Sequence, residues 1–156
     1  MRILIAVDDL VFGEALAEFA GRHQWPVDVE FKVLHVVEPV LLDHGGDVSY
    51  APFLESTSQY AMQEARRLVG SVASKLRSNL RDGRIDQEVL EGHPAEQIID
   101  TANAWGANMI LLGSHGRRGM SRFILGSVST AVLTHAPCSV VILRLPARVP
   151  APSGQS

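Results

Sequence analysis

Apolar positions follow two alternating rhythms along the chain. Five short apolar runs read as strands: Arg2–Val7, Val27–Val36, Ile85–Leu90, Asn108–Leu112 and Ser139–Leu143. Several of them are apolar almost continuously, which fits strands covered on both faces, as in a parallel sheet. Between these runs the spacing becomes helical. Phe12, Leu16, Phe19 and Ala20 form one stripe. Ala61, Ala65, Leu68, Val69, Val72, Leu76 and Leu80 form a longer one, with a stop near Asp82-Gly83. Pro94 opens a third helix at its first position, Ala95, Ile98, Ile99 and Ala102 face inward, and Gly106 ends it. A fourth starts at Ser127 and stops before Pro137.

The strand–helix alternation predicts one α/β domain over residues 1–145: a five-stranded parallel sheet with helices on both faces. Ligands of such sheets sit beyond the carboxyl ends of the strands, at the switch point. The first and fourth strand runs end at Asp8-Asp9 and Gly113–Gly116. Residues 38–56 break the rhythm, with Pro39, Gly45, Gly46 and Pro52, and make a long connection. It reads either as a mobile lid near the ligand or as a solvated excursion. The segment 146–156, with three prolines and no periodicity, is expected to be a disordered tail.

Composition narrows the class. The chain has 156 residues, 46% hydrophobic and 20% charged, as ordinary globular proteins do. A net charge of −3 gives no overall pull toward nucleic acid or anionic membrane. No run reaches the ~18 apolar residues of a membrane span. The acids at Asp8 and Asp9 come too soon after the apolar start for an export segment. The single cysteine, Cys138, excludes an internal disulfide framework and suits a reducing compartment. A cytoplasmic protein, with neither nucleic acid nor membrane as partner, is the expectation.

The candidate chemistry lies in Gly113-Ser114-His115-Gly116 and Gly126-Ser127-Val128-Ser129. A strand, a glycine loop and a helix N-terminus in this order build an anion site. Glycines let backbone N–H groups approach phosphate oxygens, and the first helical turn adds unpaired donors and partial positive charge. Arg117, Arg118 and Arg122 lie within the loop and either screen phosphate charge or are solvated. Ser127 either meets a phosphate or only caps its helix, and Ser129 extends the same polar turn. Asp8 either contacts a ribose or caps the first helix, while Asp9 reads as a solvated carboxylate. His115 either meets a phosphate or is simply a loop residue. The histidines show no metal-ligand spacing, so no metal site is expected from protein side chains. Trp25 and Trp105 read as packing at the edge of the core.

With these pieces in place the chain resembles the universal stress protein family, from Met1 to about Leu145. The ATP-binding branch of that family carries G-x2-G-x9-G-[S/T], matched here by Gly113, Gly116, Gly126 and Ser127. Ile3–Asp8, Leu34-His35-Val36 and Gly92–Ile98 also resemble the family's stretches. The resemblance implies a Rossmann-like fold of the adenine nucleotide alpha hydrolase type, with strand order 3-2-1-4-5. It implies ATP, AMP or ADP, with Mg²⁺, held by Ala6, Val7, Asp8, Val36, Gly113, Ser114, His115, Gly116, Arg117, Arg118, Gly126, Ser127, Val128 and Ser129. Within that set the adenine lies near Ala6 and Val36, the ribose near Asp8, and the phosphates on the glycine loop. Asp9-Leu10 departs from the small Gly-Ser pair of many members and adds a carboxylate at the mouth.

The implied function is a nucleotide-dependent regulator in the stress response. The apolar, uncharged Ser139–Leu143 segment implies a homodimer through the last strand. No Walker-type lysine, general base or nucleophile–base pair is apparent, so no catalytic residue is expected and any ATP hydrolysis is slow. The main rival is a dimeric interaction module with a weak or AMP-filled site. A phosphoacceptor receiver domain would need an aspartate ending strand three and a lysine ending strand five. Those ends read Leu90-Glu91 and Leu143-Arg144. A flavodoxin-like carrier would need a phosphate loop where Asp8-Asp9 stand, and two carboxylates repel phosphate.

Overall fold

The structure, a computed structural model, describes residues 1–39, 51–80, 83–114 and 125–145, the side chains of 51–54 excepted. The elements run β1 (Arg2–Ala6), α1 (Leu10–Arg22), β2 (Glu30–Val37), α2 (Ala51–Asn79), β3 (Arg84–Glu91), α3 (Pro94–Trp105), β4 (Met109–Gly113), α4 (Ser127–His135) and β5 (Ser139–Leu143). All strand pairs are parallel and the order is β3-β2-β1-β4-β5. The expected sheet is therefore present in both direction and order.

The period-two geometry of a strand divides the sheet's apolar side chains between two cores. Ile3, Ile5, Phe31, Val33 and Leu111 face α1 and α2, where Leu16, Ala17, Val69, Val72 and Leu76 meet them. Leu4, Ala6, Leu34, Ile110 and Leu112 face α3 and α4, where Ile98, Ala102 and Val132 meet them. Covering on both faces explains why β1 and β4 read as nearly unbroken apolar runs. Trp25 and Trp105 lie at the margins as expected. The Trp25 indole N–H donates to Ala20 O at 2.6 Å, and Trp105 packs on the α3/α4 core.

Two boundaries and one cap differ from the sequence expectation. Strand β2 begins at Glu30, not Val27, because Asp28 adopts a left-handed φ of 65° and turns the chain before the ladder starts. Helix α2 begins at Ala51, so part of the supposed 38–56 connection is helix. Pro52 does not prevent this, since the first helical turn needs no intrahelical N–H. Finally, α4 has Gly126 rather than Ser127 as its N-cap residue. Helix α3 matches expectation, with Pro94 at its start and Gly106 ending it at a φ of 67°, a conformation glycine adopts without a Cβ penalty. The expected tail, 146–156, lies outside the described residues.

Candidate functional site

Each strand is followed by a helix returning antiparallel to it, so α1 and α4 both begin at the carboxyl end of the sheet. The chain leaves β1 toward β2 on one side and later adds β4 on the other. The β1–β4 boundary is therefore the switch point. Ala6 stands opposite both Leu34 and Leu112 in the ladders. The tip of β1 thus brings Ala6, Val7 and Asp8 between the end of β2, with Val36, and the end of β4, with Gly113 and Ser114.

Gly113 is held from both faces. A Cβ there would lie 2.7 Å from Phe12 Cδ1, so the ring of Phe12, itself buried, accepts only glycine. On the other side the Ser129 hydroxyl donates to Gly113 O at 2.7 Å. Ser129 is buried, and its one proton is committed to this bond. Ser114 N–H donates to Leu143 O, and Gly126 N–H donates to Ser114 O, both at 2.8 Å. The two ends of the glycine segment, Ser114 and Gly126, are thereby tied to each other and to β5. His115, Gly116, Arg117, Arg118 and Arg122 lie outside the described residues.

The two helix starts differ in charge. Asp9 is the N-cap of α1, and its Oδ1 accepts from Phe12 N–H at 2.8 Å. The helix cap is thus Asp9 rather than Asp8, and Asp9 is no longer simply a solvated carboxylate. At α4 the N-cap Gly126 has no side chain to offer. The first-turn N–H groups of Ser127, Val128 and Ser129 have no intrahelical acceptor, and they carry the positive end of the helix dipole.

Across the site, Ala6, Val7 and Val36 are buried while Asp8 is exposed. Val7 N–H donates to Leu34 O at 2.9 Å, and His35 Nδ1 lies 2.7 Å from Val7 O. Sequence reasoning placed Phe12 only in the apolar stripe of the first helix and gave His35 no role of its own. For the contact of Phe12 with Gly113 no sequence signal exists, since the two lie about a hundred residues apart. His35 leaves one trace, a polar residue set between Leu34 and Val36 in the otherwise apolar Val33–Val37 half of β2.

Comparison with known proteins agrees with this fold. The family model described as "Universal stress protein family" matches residues 1–144. A universal stress protein A homolog from Coxiella burnetii is 32% identical over 119 residues, covering 76% of each chain. The universal stress protein UspA of Lactobacillus plantarum has a TM-score of 0.64 at 26% identity, covering 92% of this chain and 97% of that one. The Archaeoglobus fulgidus universal stress protein, solved in complex with dAMP, has a TM-score of 0.66 at 24% identity, covering 91% of this chain and 96% of that one. The chain belongs to the universal stress protein family.

Proposed function

We propose that the protein binds an adenine nucleotide, ATP in the first instance, at the β1–β4 switch point and uses it as a regulatory signal. The observation that carries this reading is the start of α4. Its glycine cap offers no carboxylate to the first-turn donors, and it lies beyond β4 at the end of a glycine segment whose two ends are tied together. The dAMP complex of the A. fulgidus relative supports the same ligand class.

In this reading the phosphates meet the N–H groups of Ser127, Val128 and Ser129 and the segment around Gly116, with Arg117 and Arg118 as counter-charge. Asp8 takes the ribose, and Ala6, Val7 and Val36 take the base. The Ser129 hydroxyl holds Gly113 rather than a phosphate. Among the described residues no group of three or more His, Cys, Asp or Glu gathers as a metal site. A magnesium ion would accordingly be held chiefly by phosphate oxygens, with the exposed Asp8 carboxylate at hand.

The two sheet edges support a homodimer through β5. The β3 edge carries Arg84, Asp86, Glu88 and Glu91, charges that discourage strand pairing. The β5 edge reads Ser-Val-Val-Ile-Leu without a charge. A self-complementary two-fold contact needs only this one segment. Light scattering at micromolar concentration should find a dimer, weakened by Ile142→Lys. A monomeric wild-type protein would remove the interface.

Calorimetry tests the ligand. Wild-type protein should bind ATP, and Gly116→Val should lose that binding while circular dichroism stays native, because a branched side chain obstructs phosphate approach. Undiminished affinity in the folded variant would overturn the phosphate-loop reading. Equal affinities for AMP and ATP at low salt would assign a monophosphate site instead.

A further inference from the structure

A parallel ladder has a fixed arithmetic. Val7 N–H bonds Leu34 O, so the next rung would be Val36 N–H to Val7 O. Among the described residues that rung is absent, and the ladder register ends at Ala6–Leu34. The Val7 carbonyl instead meets His35 Nδ1 at 2.7 Å. A carbonyl oxygen has no proton to give, so Nδ1 carries it, and the neutral ring is the Nδ1–H tautomer with a lone pair on Nε2.

The residue type is otherwise unexpected. His35 is 9% exposed and shares its face of β2 with Phe31 and Val33. A branched aliphatic side chain would fill that position at no polar cost. Burying an imidazole is unfavourable unless it is hydrogen-bonded, and the Val7 carbonyl supplies the partner.

We propose that His35 is a positioning residue for the base. Its ring occupies the Val7 carbonyl, stops the β1–β2 ladder one rung early, and so leaves the Val36 N–H available to an acceptor nitrogen of a purine. Without the imidazole, the Val7 carbonyl would need another donor to avoid burial unpaired, and Val36 N–H is the nearest in the ladder. Closing that rung would consume the donor that the base needs. The inference rests on the adenine-nucleotide reading, and it adds the side chain that prepares the base-binding edge.

Two variants separate this role from general packing. In His35→Leu the volume is roughly kept and the donor is lost. In His35→Asn the amide nitrogen stands at the δ position and restores the donor. Adenosine affinity should fall about tenfold in the leucine variant, the scale of one hydrogen bond, and stay within about twofold in the asparagine variant. Inorganic tripolyphosphate should bind both variants as it binds wild type. Hydrogen exchange should find the Val36 amide unprotected in the ligand-free wild type and protected in His35→Leu. Nitrogen-15 NMR of the wild-type imidazole should show a protonated Nδ1.

Wild-type adenosine affinity in a folded leucine variant would overturn the proposal, as would a protected Val36 amide in the wild type. Should the leucine variant not fold, the asparagine variant and the wild-type exchange pattern still decide it. A wild-type protein that binds neither adenosine nor tripolyphosphate would sink the nucleotide reading alone, while the exchange comparison would still test the His35 rung.

Discussion

Helices α1 and α4 start at the same end of the sheet, on opposite faces, and both touch Gly113. Phe12 of α1 lies against its Cα, and Ser129 of α4 holds its carbonyl. Their first turns nevertheless meet opposite fates. Asp9 places a carboxylate on the α1 donors and cancels the dipole there. Gly126 places nothing on the α4 donors. A helix start is a general anion attractor, so a sheet with several of them must decide which one stays open. Here the N-cap residues differ in charge, Asp9 at α1 and Gly126 at α4, and on the proposed reading that difference directs phosphate to α4. The carboxylate that departs from the family's Gly-Ser pair thereby acquires a structural role.

The largest expected effect comes from giving α4 the cap that α1 has. Gly126 has φ −62°, which any residue adopts, so Gly126→Asp should fold. Its carboxylate would compete for the same donors and repel phosphate. At about 4 Å and an effective dielectric near 20 that repulsion is about 4 kcal/mol. ATP affinity measured by calorimetry should drop at least about 100-fold, and a smaller loss than tenfold would mean the phosphates lie elsewhere.

Next comes the joint that holds the two helices around Gly113. Ser129→Ala removes the hydroxyl from a buried carbonyl and should cost about 1–3 kcal/mol in urea unfolding. If stability were unchanged, the bond to Gly113 O would carry no weight. Uncapping α1 is milder. Asp9→Ala should cost about 1 kcal/mol of stability. It should leave ATP affinity equal or slightly higher, because a negative charge leaves the mouth of the site. A marked loss of ATP binding in this variant would place Asp9 on the ligand and contradict the assignment of α1 as the closed end.

The smallest effect concerns charge around the open end. Replacing Arg117 and Arg118 together by alanine should narrow the ATP-over-AMP preference severalfold at low salt, and adding salt to the wild type should do the same. A preference insensitive to both would leave the α4 backbone as the sole phosphate ligand.

Much of this molecule is legible in its amino-acid order. The five strands, their parallel arrangement and the helix over Pro94–Trp105 follow from periodicity and capping, which are local physics acting over a few residues. The glycine spacing from Gly113 to Ser127 likewise pointed to the carboxyl end of the sheet, because the chain order of strand, loop and helix fixes which end a loop occupies. Boundaries were less legible where a local rule had a positional exception. Pro52 ends helices in general yet sits comfortably in the first turn of α2, and Val27 is apolar yet precedes the turn at Asp28.

Tertiary structure alone decided which neighbours these residues have. That Gly113 must be glycine because of the Phe12 ring, that Ser129 holds a carbonyl rather than offering a hydroxyl, and that His35 stands in for a ladder donor all depend on contacts between segments 16 to 101 positions apart. Sequence periodicity records which face of an element is apolar. It carries no record of which atom on another element that face will meet, since that is set only when both elements are packed on the sheet.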